Sequence, residues 1–381
     1  MQPGQNSTLP SCPVCAAVIR KADGPFLMEQ LTLAPPRDDE VRVRIAAVGM
    51  CHTDLAVRSR MLKTPLPVVL GHEGAGIVEE TGSNVRKVAP GDHVILTFAS
   101  CGRCGPCQSG RPAECVHFRA LNFSGHRPDG THALSGSQET TLSDRFFAQS
   151  SYATHAIATE RNVVKIPADI PLELAGPLGC GISTGSGTVL NAISPGPGGS
   201  FASFGCGSVG LSGIMGASLA GATTIIAIDR KPAHLELARE LGATHTVSMP
   251  DEDVVATVRK ITGSGVDTAM DTTGRVEIIR QMVDALRPGG KSAVVAVSPP
   301  EAQLELDAND LMACNKSIQG VSQGACVPDI FLPRLIELWK QNRFPFDRII
   351  TFYDFDQINQ AVADMEAGRT IKAVLRMPGF P

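Results

Sequence analysis

Hydrophobic and polar positions alternate along VRVRIAAV, from Val41 to Val48, and the alternation stops at Gly49. A period of two predicts a strand, and the glycine ends it. Cys51, His52, Thr53 and Asp54 therefore lie just beyond a strand end. A different pattern begins at Ser200, where SFASF is a short apolar run, GCGSVG supplies Gly205, Gly207 and Gly210, and LSGIMGASLAGA reads as a helix. TTIIAID then forms a second apolar run closing at Asp229. HTVSM after Gly242, GVDTAMDTTG ending at Gly274 and KSAVVAVS after the PGG at 288–290 continue the alternation. Strands alternating with helices predict an α/β fold with a doubly wound parallel sheet, placed here over residues 180–322. Residues 1–179 are rich in strand and turn signals. Residues 323–381, with strand-like DRIITFYDF and helical INQAVADMEAG, are expected to pack back onto that first part. A length of 381 residues also exceeds what one core usually supports, which gives two domains.

The order strand, glycine turn, helix, strand, acid suits a dinucleotide. Gly205 permits the tight turn, Gly207 lets the backbone approach a pyrophosphate, and Gly210 allows the helix to pack closely on the strand. Asp229, nineteen residues after Gly210, is placed to accept hydrogen bonds from the adenosine ribose hydroxyls. A carboxylate there repels a 2′-phosphate and favours NAD over NADP, while Arg230 and Lys231 immediately after it weaken that preference.

Composition narrows the partners. A net charge of −4 without a run of lysine or arginine excludes an electrostatic footprint for nucleic acid or an anionic membrane, leaving small molecules. No apolar run reaches the roughly 18 residues a membrane span needs, and MQPGQNSTLPSCPVC lacks a basic region followed by an apolar stretch, so a cytoplasmic protein is expected. Eleven cysteines in a reducing compartment read as metal ligands rather than disulfides. Cys101, Cys104, Cys107 and Cys115 are spaced by three, three and eight residues among turn-forming glycines and prolines. Four thiolates on one Zn2+ would order such a segment and leave no position for substrate, which makes the site structural. Cys12 and Cys15 form an isolated pair and are read as without function. A catalytic zinc needs three further ligands and an open position. The candidates are Cys51, His52, Thr53 and Asp54 beyond the first strand end, His72 and Glu73 between Gly71 and Gly74, and Cys180 between two glycines.

Through CHTDLAVR, GHEGAGIVEETGSNV, the four-cysteine segment and PLGCGISTG, the chain from about Ala16 onward resembles the zinc-dependent medium-chain alcohol dehydrogenases, and among them the aryl-alcohol (benzyl alcohol) dehydrogenases. The resemblance implies a Rossmann domain joined to a β-rich GroES-like catalytic domain, with NAD and two Zn2+ per chain as cofactors. It makes Cys51, His72 and Cys180 the ligands of the catalytic zinc and gives the four-cysteine cluster the structural one. Thr53 takes the hydroxyl of the proton relay, Asp54 orients His72, and Glu73 lies behind the metal. His52 sits where the family places a basic residue against the cofactor pyrophosphate. GRTIKAV resembles a strand returning to the cofactor, which makes Lys372 a candidate phosphate contact. Many relatives end the relay with a histidine at the position of Ala56, so the chain departs from the pattern there. The implied reaction is oxidation of primary aromatic or allylic alcohols to aldehydes by hydride transfer, in a homodimer or homotetramer built through the nucleotide-domain sheet. Phe98 and Phe118 are candidate pocket walls, and His117, His126 and His132 of the segment 116–151 are read as lying in a solvated loop. Two alternatives are a glutathione-dependent formaldehyde dehydrogenase, with Arg119 as an anion anchor, and a non-catalytic NAD-binding structural or sensory relative.

Overall fold

The computed structural model describes residues 10–136 and 141–380. Most of the N-terminal stretch read for a targeting signal, and residues 137–140 of the segment 116–151, lie outside the described residues. The chain divides into two compact units. One comprises the residues up to Cys180 together with Val327–Pro333 and the chain from Ile350 onward; the other comprises Gly181–Cys326 and Arg334–Ile349.

The first unit is built on two sheets. Strands β1 (Cys12–Ile19), β2 (Leu27–Leu33), β4 (Val68–Val69) and β7 (Leu134–Ser135) form one, in the order β4-β1-β2-β7. The other runs β16 (Ile350–Asp354), β17 (Lys372–Arg376), β3 (Glu40–Gly49), β5 (Gly74–Thr81), β6 (His93–Leu96), β9 (Val163–Lys165), with β8 (His155–Thr159) also pairing with β3. Val41, Val43, Ile45 and Val48 of β3 enter a common core with Val94, Leu96, Val163 and Leu375. Burial of each such side chain contributes about 1.5–3 kcal/mol. The alternation in β3 predicts one solvated face, yet Arg42 is buried as well. Its guanidinium pairs with Glu80 and lies near Glu79, both on β5, so ion pairing replaces hydration on that face.

Glu40, at the start of β3, anchors the segment 116–151. Arg127 donates to both of its carboxylate oxygens at 2.8 Å, and the Arg145 guanidinium lies 3.8 Å away. Only part of that segment is a solvated loop. His117 is exposed, whereas His126 and His132 are half-buried and residues 142–153 are buried throughout. His132 Nδ1 lies 3.3 Å from Asp144, which also accepts from the backbone N–H groups of Ala133 and Leu134.

The second unit holds a parallel six-stranded sheet of β10 (Ser200–Phe204), β11 (Thr224–Asp229), β12 (His245–Ser248), β13 (Val266–Asp271), β14 (Leu286–Val294) and β15 (Ser317–Gly320), in the order β12-β11-β10-β13-β14-β15. Successive strands run outward from β10 first to one side and then to the other. The C-terminal end of β10 is therefore the switch point at which α/β sheets open a ligand crevice. Among the described residues, no helix is long and apolar enough to cross a membrane.

Burial alone would raise the Glu40 carboxyl, but the Arg127 and Arg145 guanidinium groups outweigh it and hold the pKa below the ordinary 4.5. A depressed carboxylate pKa contributes stability above the unfolded-state value and loses it as pH falls through the folded value. Glu40→Gln should therefore cost about 3 kcal/mol near neutral pH, because two buried guanidinium groups lose their counter-charge. The difference from the parent should shrink as pH drops below 4.5, read by urea unfolding across a pH series.

Candidate active site and metal centres

The end of β3 turns directly into a helix, His52–Arg58, with Cys51 as its N-cap. Asp54, three residues on, accepts from Cys51 N at 3.1 Å and is thereby pulled back toward the strand end. Its other oxygen accepts from Gly71 N and faces His72 Nδ1, both at 3.0 Å. The Nδ1–H is committed to Asp54, which leaves Nε2 as the lone-pair nitrogen. That Nε2 is buried and has no hydrogen-bond partner. Around it, Cys51 Sγ, a Glu73 oxygen and Cys180 Sγ close up, with all four ligand atoms within 4.8 Å of one another.

The electrostatics suit a cation. A hydrogen bond with Cys180 holds the Cys51 thiol well below its ordinary range in spite of burial, and that same contact together with burial pushes Cys180 well above it. The contact thus favours the thiolate form of Cys51, and a divalent ion held here would favour it for both sulfurs. Two thiolates and an imidazole around an orphaned ring nitrogen fit Zn2+. Thr53 Oγ1 lies 3.5 Å from Cys51 Sγ, at the margin of this cluster. His52 is exposed at the head of the helix and Ala56 is buried beneath it.

Cys101, Cys104, Cys107 and Cys115 form the second group, again with ligand atoms within 4.8 Å. Cys101 N donates to Cys115 Sγ at 3.3 Å and Cys104 N to Cys101 Sγ at 3.4 Å. Backbone N–H groups, that of Arg103 foremost, bring the Cys101 thiol down to about 6. Four converging sulfurs, two of them accepting from backbone N–H groups, fit a closed tetrahedral zinc. Cys12 and Cys15 lie on β1 and join neither group.

In the second unit, Gly205 takes φ +100° at the end of β10, where a Cβ would meet Thr272 Oγ1 at 2.3 Å. A Cβ at Gly210 would strike Gly205 O at 1.9 Å, whereas one at Gly207 would meet nothing within 4 Å, so that backbone faces open space. Asp229 accepts from Cys206 N at 2.7 Å and Lys231 N at 2.9 Å. Arg230 is exposed beside it. The open glycine backbone, the start of the helix Ser208–Leu219 and the fixed carboxylate fit the pyrophosphate and ribose of a dinucleotide.

Lys372 is not at the surface. It is 2% exposed, and its Nζ donates to both oxygens of Glu73 at 2.9 Å and to Met50 O at 3.0 Å. Those partners take its three protons, which corrects the reading of this lysine as a phosphate contact. Arg119 is exposed.

Several residues escape the sequence pattern. Phe147 stacks on the His72 ring, centroids 4.5 Å apart at 24°, and Phe146 meets that ring edge-on at 5.3 Å. Phe118 and Phe123 pack against Phe147, and Phe98 against Phe118. Phe147 adopts φ +51°, a costly conformation for an aromatic residue. Ser150 Oγ fixes this turn by accepting from Phe146 N and donating to Val69 O. Gln149, fully buried, donates to His72 O and Thr97 O and accepts from Gly74 N and Ser151 Oγ. His234 lies in the first turn of the helix Pro232–Glu240, with Nδ1 3.5 Å from Asp229 and both ring nitrogens otherwise unpartnered. The paired phenylalanines at 146–147 and the position of His234 five residues after Asp229 were the available signals.

A unit bearing a two-thiolate, one-imidazole centre, joined in one chain to a doubly wound sheet with a glycine turn at its switch point, defines a metal-dependent dehydrogenase. The alcohol dehydrogenase GroES-like domain matches residues 37–168, and the zinc-binding dehydrogenase domain matches residues 208–340. An alcohol dehydrogenase zinc-binding domain protein from Burkholderia ambifaria is 50% identical with a TM-score of 0.95, over 97% of this chain and 100% of that one. Benzyl alcohol dehydrogenase from Acinetobacter calcoaceticus is 45% identical with a TM-score of 0.93, over the same shares. Geraniol dehydrogenase from Castellaniella defragrans is 44% identical over 362 residues, 94% of this chain and 96% of that protein. The chain belongs to the zinc-binding, medium-chain alcohol dehydrogenases.

Asp54→Asn removes one acceptor from a carboxylate serving three N–H groups. Zinc affinity at the Cys51–His72–Cys180 centre should fall about 10- to 100-fold. The four-cysteine zinc should be retained, so metal analysis under a mild chelator should read one zinc per chain for the variant against two for the parent.

Proposed function

We propose that the protein oxidises primary allylic and aromatic alcohols to aldehydes, with NAD+ as hydride acceptor. The observation that carries the substrate class is the aromatic group beside the site, with Phe147 stacked on the His72 ring, Phe118 and Phe123 packed on Phe147, and Phe98 on Phe118. Flat, apolar, conjugated alcohols match such surfaces by edge and face contact. The relatives named for geraniol and benzyl alcohol support the same class.

Bound zinc, held by Cys51, His72 and Cys180, supplies Lewis acidity that lowers the pKa of an alcohol hydroxyl toward neutrality. The two thiolates offset the charge of the ion, and Asp54 keeps the imidazole in the ligating tautomer. Thr53 accepts the hydroxyl proton and passes it on. With Ala56 where relatives carry an imidazole, the proton leaves through water or His52. Bound NAD+ supplies the hydride acceptor, so the alcohol loses a proton and a hydride and becomes the aldehyde. Asp229 holds the adenosine ribose hydroxyls and disfavours a 2′-phosphate. A homodimer or homotetramer would be built through the six-stranded sheet, whose edge strands are β12 and β15. A cytoplasmic location accords with eleven cysteines that form no disulfide.

A panel of benzylic, allylic and saturated aliphatic alcohols with NAD+ and NADP+ tests this reading. Benzylic and allylic alcohols should exceed the aliphatic ones at least about tenfold in kcat/KM, a margin within reach of pocket contacts. NAD+ should be preferred. Strong turnover of formaldehyde only with added glutathione would replace the proposal. Thr53→Val, which keeps shape and removes the hydroxyl, should lower kcat about 100-fold with zinc content unchanged.

A further inference from the structure

The atoms that would hold the catalytic zinc number four, not three, because a Glu73 oxygen lies within 4.8 Å of the Cys51, His72 and Cys180 ligand atoms. Two thiolates, an imidazole and a carboxylate would complete a tetrahedron, and a complete tetrahedron has no corner for an alcohol. Something must keep Glu73 out of that corner.

We propose that Lys372 is a positioning residue that holds the Glu73 carboxylate aside and so keeps the fourth corner of the Cys51–His72–Cys180 centre open to substrate. This rests on the assignment of those three residues as metal ligands. Lys372 Nζ meets both Glu73 oxygens at 2.9 Å, so each oxygen is engaged. Its remaining proton goes to Met50 O, and Met50 N in turn donates to Ala373 O, so the ammonium is fixed to the backbone at the junction of β3 and β17. Glu73 lies flat against β3, where a Cβ at Gly49 would come within 2.0 Å of Oε2. Glycine thus makes the resting place and lysine holds the carboxylate in it. Charge agrees with geometry: two thiolates already balance a divalent ion, and Lys372 balances Glu73, so the carboxylate gains little by turning to the metal.

The test uses full-length protein loaded with Co2+ in place of zinc and titrated with imidazole, which enters an open coordination position, read by visible absorption. The four-cysteine site is closed and does not respond. In Lys372→Met the released carboxylate takes the corner. The absorption should shift before imidazole is added, and imidazole affinity should fall about tenfold or more. Lys372→Met combined with Glu73→Gln should restore the parent affinity. Unchanged affinity in Lys372→Met, or a loss that the double variant does not reverse, overturns the proposal. If Lys372→Met does not retain cobalt, Glu73→Gln alone decides. Parent-like imidazole affinity supports the proposal, and affinity several-fold tighter overturns it, since the carboxylate would then already compete in the parent. Uptake of one cobalt per chain by the parent overturns the ligand assignment itself, whereas two cobalts with an unresponsive Lys372→Met overturn only the role of the lysine.

Discussion

Asp54 has no solvent exposure, and its carboxylate accepts from Cys51 N, Gly71 N and His72 Nδ1. These donors belong to the two chain segments that carry Cys51 and His72, so one side chain fixes their separation, the direction of the ring and its tautomer. A ligating histidine whose other nitrogen has no acceptor is free to rotate or to carry its proton on the wrong atom. The rest of the site assumes this arrangement. Gln149 ties the backbone of His72 to Gly74 of β5 and to Thr97 just after β6, Phe147 covers the face of the ring, and Thr97 Oγ1 donates to Gly179 O beside Cys180.

The same small volume concentrates opposing charges. Burial pushes Glu73 up to about 7 even with Lys372 drawing it down, while Lys372 itself is raised because Glu73 and Cys51 outweigh the cost of burying an ammonium. Removal of one partner from a buried pair typically costs about 3–5 kcal/mol, although replacing both by apolar residues is often neutral. Such a pair contributes placement more than stability. Here the placement holds both Glu73 oxygens on Lys372 Nζ beside the Cys51, His72 and Cys180 side chains.

Strain is located beside the chemistry. Phe147, Ala148 and Ser150 all take positive φ in the turn that lays an aromatic ring on His72. The surrounding structure enforces this through Ser150 Oγ and through the Glu40–Arg127 pair that binds the segment to β3. A buried aromatic ring stacked on the His72 imidazole is the return on that local cost.

What the chain determines by itself is whatever short spacing controls. Cysteines three residues apart among glycines can scarcely avoid one another, a glycine turn between strand and helix has few alternatives, and the position of Asp54 three residues after Cys51 makes it the carboxylate that caps the helix. The burial of Arg42 was not legible, since period-two alternation records polarity and not the ion partners a neighbouring strand supplies. Nor was the role of Lys372, which lies 299 residues from Glu73 and meets it only because β17 pairs with β3 in one register. A one-residue slip would turn that ammonium to the opposite face. Sequence proximity restricts a few backbone angles and so fixes local chemistry, whereas contacts across hundreds of residues depend on how whole sheets align, a choice made by the packing of the entire unit.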